Sequence, residues 1–212
     1  SAAKTAGKLS DGRLKSCSGG LFSILHARPM SYCAFANALP DGSPNPNKSY
    51  HDCEYGFPIH SDKELFRRLV LEINQAGLNW TLILNKRAAF DAAYCGFDIA
   101  AVAAFDEADR ARLLSDAGIV RNRLKINAAI FNANQILALQ REYGSFENWL
   151  DVHHPRSLND WVKLFKKHFK FVGGEIVGEF LMSTGYLKGA HGESCPVYAR
   201  VLRQKPKWTE AV

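Results

Sequence analysis

Apolar positions recur at helical spacing through most of the chain, and polar capping signals separate the runs. Ser61-Asp62-Lys63-Glu64 has the form of a capping box. Leu65, Phe66, Leu69, Val70 and Ile73 follow at the i, i+3, i+4 intervals of one helix face. Gly77 then sits where a C-terminal cap belongs. A second helix is predicted through "WTLILNKRAAFDAAY", from Trp80 to Tyr94. A third follows Asp106 and stops near Gly118. A long one opens near Asn122 and ends at Gly144. Ser145 and Ser157 read as two further N-caps, and Gly185 as the close of a last helix. No convincing alternating run predicts a strand, and no internal repeat is evident. The pattern predicts an all-α single domain of roughly eight helices.

Proline placement agrees. All eight prolines lie at positions 29–58 or from 155 onward, so a long block is free of the residue that breaks helices. Residues 40–48, "PDGSPNPNK", predict a loop. Residues 1–30 predict a basic, flexible N-terminal segment, 31–200 the functional domain and 201–212 a C-terminal tail. With 47% apolar and 23% charged residues, the 212-residue chain has the mix of a soluble globular protein. No apolar run approaches the roughly 18 residues that span a membrane. "LFSIL" at 21–25 is too short for a signal-peptide core. The expected home is cytoplasmic in a bacterium, nuclear or organellar in a eukaryote. The net charge of +6 permits a polyanionic partner without establishing one.

Four stretches carry chemistry. In "LEINQAGLNW", a helical wheel puts Glu72 at the edge of the apolar face, away from Arg67, Arg68 and Asn74. An acid there points into a cleft or pairs with a buried cation, and a boundary salt bridge is the plainer alternative. Trp80 follows a glycine turn and can face the same cleft. "SYHDCEYGFP", residues 49–58, packs two tyrosines, a histidine, a cysteine and two acids into a predicted loop, a density that points to function. Tyr50 and Tyr55 serve equally well as core anchors. "LLSDAGIVRNRLKI" bends at Gly118 between two helices. Its backbone N–H groups, with Arg121, Arg123 and Lys125, suit an anion such as a nucleic-acid phosphate. "GAHGESCPVY" sets His191 and Cys195 four residues apart, half of the four-ligand set of a structural zinc. The five cysteines are scattered and odd in number, so they read as thiols or metal ligands. Spacing alone leaves Cys33 and Cys53 equal as a third ligand.

Taken together, "YHDCEYGFP…SDKELFRRLVLEINQAGLNW…LLSDAGIVRNRLKI…FVGGEIVGEFL…GAHGESCPVY" resembles DNA-3-methyladenine glycosylase I, a helix-hairpin-helix DNA repair family. The resemblance covers about residues 33–198, with its motifs in order. It implies a structural Zn2+ held by Cys33, His51, His191 and Cys195, joining the two ends of the domain. It implies a pocket in which Tyr50 and Trp80 wall a flipped, cationic base and Glu72 receives it, with Phe35 and Tyr55 as further walls. Gly118, Arg121, Arg123 and Lys125 would hold the DNA backbone. The Gly77–Leu78 turn would fill the gap left in the duplex. The implied substrate is double-stranded DNA with alkylated bases, the product free 3-methyladenine. The implied enzyme is a monomer that uses water and does not cut the strand, since "NAAIFNANQILALQ" supplies no catalytic aspartate. Three positions depart from the family pattern: Phe35 stands for a tryptophan, Asn47 for a tyrosine, and Tyr55 for the tryptophan of "EWG". Two other readings are a non-catalytic zinc-stabilised helical DNA-binding protein and a metal-stabilised protein-interaction domain. The second predicts no basic surface around Gly118, Arg121 and Lys125.

Overall fold

A computed structural model describes residues 31–210. The predicted segment 1–30 lies outside them. The described residues form twelve α-helices and two short 3-10 turns, with no strand. The long helices stand where the caps put them. Helix α3, Asp62–Gln75, starts behind Ser61, whose side chain accepts the Glu64 N–H, and gives way to Gly77 at φ +80°. Helix α8, Arg123–Tyr143, is capped by Asn122 and closed by Gly144 at φ +87°. Ser145 caps α9, Phe146–His153, and Ser157 caps α10, Leu158–His168. Helix α7 is Glu107–Ser115.

The helix count exceeds the expected eight because short helices offer too few periodic positions to be read. Helix α1 is Tyr32–Asn37. The first half of the predicted reactive loop belongs to helix α2, Pro46–Cys53, with Asn45 as cap and Pro46 in its first turn. The stretch from Trp80 breaks at Lys86 into α4, Trp80–Asn85, and α5, Arg87–Ala93. Helix α6, Ile99–Ala103, follows. Helix α11, Gly174–Ser183, ends before Gly185 as expected, but α12, Tyr198–Arg203, comes after it and crosses residue 200.

Helix α3 lies at the centre, packed against α4, α8, α9 and α11. That position overturns part of the wheel. Arg68 and Asn74, expected on the polar face, are buried together with Glu72. A helix enclosed on several sides must bury part of its polar face too, and each polar group there needs a partner or a function. Asn74 donates from Nδ2 to the Val70 carbonyl at 2.8 Å. Arg68 and Glu72 serve the site.

Candidate active site and metal centre

The ends of the described domain meet at four donors. Cys33 comes from α1, His51 from α2, and His191 and Cys195 from the segment between α11 and α12. Their ligating atoms all lie within 4.8 Å of one another. Sγ of Cys195 is 3.5 Å from Nε2 of His51 and 3.5 Å from Nδ1 of His191, while Sγ of Cys33 is 3.6 Å from the same Nδ1. A tetrahedral ion with metal–sulfur bonds of about 2.3 Å and metal–nitrogen bonds of about 2.0–2.1 Å requires sulfur–nitrogen edges of about 3.6 Å. The donor set fits that figure.

The outward ring nitrogens are also tied. Nδ1 of His51 meets Asp52 Oδ1 at 2.7 Å, and Nε2 of His191 meets the Tyr55 carbonyl at 2.7 Å. Such partners orient imidazoles that ligate a metal. Gly56 lets this assembly close: a Cβ there would stand 2.7 Å from Ala190 Cβ and 3.3 Å from the His191 ring. Cys53 is exposed and outside the group, which decides between it and Cys33.

Beside this clasp lies a cavity of about 610 Å³. Tyr50, Tyr55 and Trp80 line it as expected. Tyr50 and Trp80 pack on each other, centroids 5.1 Å apart and planes at 59°, so they form one continuous aromatic wall and not two opposed jaws. Gly173, Gly174 and Ile176, at and before the start of α11, line it as well. Phe35 does not reach the cavity; it sits behind Tyr32, centroids 6.4 Å apart. Tyr32 is the wall that sequence reading missed. Its hydroxyl lies 3.3 Å from both the backbone oxygen and Oδ1 of buried Asn47. Aromatic surface that Asn47 cannot supply thus comes from α1, one residue before Cys33 of the four-donor group.

Glu72 faces this cavity and is 4% exposed. Among the described residues it has no hydrogen-bond or ion-pair partner, so none of them supplies the boundary salt bridge. Burial pushes its carboxyl up to about 8; the Arg68 charge pulls it down, and the Glu179 charge pushes it up. Arg68 is engaged elsewhere. It donates to the Tyr50 hydroxyl at 3.0 Å and the Ser183 carbonyl at 3.3 Å, and its guanidinium lies 4.9 Å from the Tyr50 ring centroid. Glu54, 3.7 Å from Arg68, is shared with Arg87 at 2.6 Å. Glu179, on α11, also lines the cavity and accepts the Tyr55 O–H at 3.1 Å. It too was missed, because nothing in the run "EIVGEF" separates Glu179 from the exposed Glu175 four residues before it.

The turn after α3 reaches the cavity through Gly77, and Leu78 is 37% exposed. Gln75 braces it, its carbonyl accepting the Leu78 N–H at 2.7 Å and its side chain donating to the Leu78 carbonyl at 3.1 Å. The hairpin corrects two expectations. The Gly118 N–H is taken by Asp116 Oδ1 at 2.7 Å and is not free for a phosphate. Glycine is needed there for space, since a Cβ would lie 2.9 Å from Ala89 Cβ. Lys125 is buried, and its ammonium donates inward to the carbonyls of Asn74, at 2.9 Å, and Ala76, at 2.6 Å. It ties α8 to the end of α3 where a phosphate contact was expected, because those terminal carbonyls lack helical donors. Arg121 and Arg123 are exposed at the start of α8.

Comparison with known proteins agrees with this geometry. Residues 42–161 match the methyladenine glycosylase family. The chain is 36% identical to DNA-3-methyladenine glycosylase 1 of Escherichia coli, over 71% of this chain and 90% of that protein. It is 30% identical to DNA-3-methyladenine glycosylase of Haemophilus influenzae, over 69% of this chain and 89% of that one. The fold superposes on 3-methyladenine DNA glycosylase I of Staphylococcus aureus, solved to explain 3-methyladenine recognition. The TM-score is 0.68 at 30% identity, covering 79% of this chain and 96% of that structure. A central helix carrying a buried acid beside an aromatic wall, a sequence match over more than half the chain and a shared fold agree: this chain belongs to the methyladenine glycosylase family.

Proposed function

We propose that the chain is a base-excision repair enzyme. It hydrolyses the N-glycosidic bond of 3-methyladenine in alkylated double-stranded DNA, as a monomer, and leaves the strand intact. The observation that carries this reading is Glu72, a buried carboxyl with no partner among the described residues, facing a cavity walled by aromatic rings. A protein that only bound DNA, or only bound proteins, would have no use for such an acid.

The roles follow from charge. Arg121, Arg123 and the first-turn N–H groups of α8 hold phosphates. The target nucleotide rotates out of the stack, and the Gly77–Leu78 turn enters the gap. The lesion base carries a positive charge while bonded to the sugar, so it gains from the Tyr50–Trp80 wall through cation–π attraction. The cationic base favours the ionised form of Glu72, which gives up its proton as the base enters and then, as a carboxylate, accepts hydrogen bonds from the base edge and complements its charge. The glycosidic electron pair leaves with the base, which becomes neutral. Water bonds to the sugar carbon and loses a proton. Lys125, held by two carbonyls, is not a Schiff-base nucleophile, so the product is an abasic site in an intact strand.

Cys33, His51, His191 and Cys195 would hold one Zn2+, which supplies stability and no reaction chemistry, because four protein donors leave no position for an activated water. By joining α1, α2 and the C-terminal segment, the clasp keeps Tyr32, Tyr50 and Tyr55 in register.

The test is incubation with duplex DNA treated with a methylating agent, followed by chromatography of released bases. Release of 3-methyladenine without strand scission is expected. DNA binding without base release would overturn the enzymatic reading.

A further inference from the structure

We propose that Glu179 is a second recognition carboxylate of the base pocket, and that with Glu72 it makes the pocket select a base by its positive charge. This inference rests on the functional reading above and assigns it a further residue. Glu179 comes from α11, on a different element from Glu72, and lines the same cavity. Oε2 of Glu179 accepts the Tyr55 O–H at 3.1 Å, and Oε1 has no partner among the described residues. Glu72, almost fully buried, has none for either oxygen among those residues. The two acids are close enough that the charge on one makes the other harder to ionise.

Among the described residues, the surroundings do not neutralise them. Arg68, on α3, is the nearby cation, and it is already shared with Tyr50, the Ser183 carbonyl and Glu54. Glu175, exposed at the cavity rim, adds negative charge. A cation entering among these three acids favours their ionised forms, and a neutral base does not. They favour a ligand that arrives as a cation. A base that loses its charge when the glycosidic bond breaks also loses this attraction, which favours release of the product.

Tyr55 anchors the arrangement. Its hydroxyl holds Glu179, and its carbonyl holds His191 of the clasp. The second acid is therefore placed by the same residue that orients a metal ligand.

The experiment compares two probes on the metal-loaded protein. One is 3,9-dimethyladeninium, which carries the charge of the bonded lesion, and the other is neutral 3-methyladenine. Wild type is expected to prefer the cation. In Glu179→Gln, whose amide oxygen can still accept from Tyr55, the cation-to-neutral ratio of affinities is expected to fall about tenfold, with the neutral probe bound within about twofold of wild type. Glu179→Asp, which restores the charge, is expected to recover part of the ratio. Circular dichroism and the thermal midpoint report whether each variant is folded. A folded Glu179→Gln with the wild-type ratio, in a protein that releases 3-methyladenine from methylated DNA, overturns this inference alone. A wild type that releases no base overturns the functional reading and this inference with it.

Discussion

Two buried polar clusters lie side by side and share Tyr55, yet they are built on opposite plans. In the clasp, each donor faces the common centre and each outward imidazole nitrogen has a fixed partner, Asp52 for His51 and the Tyr55 carbonyl for His191. In the pocket, Glu72 is buried with nothing to pair with among the described residues. Buried polar groups are ordinarily satisfied. A closed cluster makes the fold more stable. An open one makes it less stable and keeps interaction energy for a ligand. On this account the clasp holds the walls and the pocket does the chemistry, and the two separate under mutation.

The largest effect is expected in the clasp. Cys195→Ser removes a thiolate from a four-donor set and leaves buried groups unpaired. It is expected to lower the thermal midpoint by more than about 10 °C, consistent with several kcal/mol from a structural metal. Chelation of wild type should reproduce that loss, and metal re-addition should reverse it. An unchanged midpoint would mean that the clasp does not carry the fold.

Lys125→Met comes next. It keeps the buried stem but leaves the Asn74 and Ala76 carbonyls without their donor, and is expected to cost about 1–3 kcal/mol by denaturant titration. Because that end of α3 leads into the Gly77–Leu78 turn, base release should slow as well. The salt slope of DNA binding should stay near that of wild type, since the ammonium faces inward. A smaller effect is expected from Arg121→Ala at the exposed hairpin. It should weaken binding to any duplex alike and flatten the salt dependence by about one phosphate contact, read from affinity against ionic strength. If Lys125→Met behaved as Arg121→Ala should, the inward placement of Lys125 would be wrong.

The subtlest effect separates the clusters by pH. Burial pushes the Glu72 carboxyl up to about 8 in the folded chain, against an ordinary 4.5. The folded state therefore binds a proton that the unfolded chain gives up between those values, so stability falls as pH rises through this window. The thermal midpoint of wild type is expected to fall more from about pH 5 to about pH 8 than that of Glu72→Gln, which lacks this group. Equal slopes would place Glu72 in a solvated setting.

Much of this was legible in the sequence for a local physical reason. Side-chain caps and glycines mark helix ends within a few residues, so α3 and α8 stood where Ser61, Asn122 and Gly144 put them. The four-donor group was legible only through the resemblance, since His191 and Cys195 alone are half a site. Tyr32 and Glu179 were not legible. Each is a single residue whose role depends on which distant element it meets: Asn47 for Tyr32, Tyr55 for Glu179. Lys125 failed for the same reason. A basic residue after a hairpin reads as a phosphate contact until the structure shows the end of α3 packed beneath it.

The most direct test of the division of labour is one preparation of Glu72→Gln measured beside wild type for metal content, thermal midpoint and single-turnover release of 3-methyladenine from methylated duplex DNA. The account predicts the same metal content, a midpoint equal to or above that of wild type, and release slowed about a hundredfold. Release at the wild-type rate from a folded, metal-loaded Glu72→Gln would contradict it.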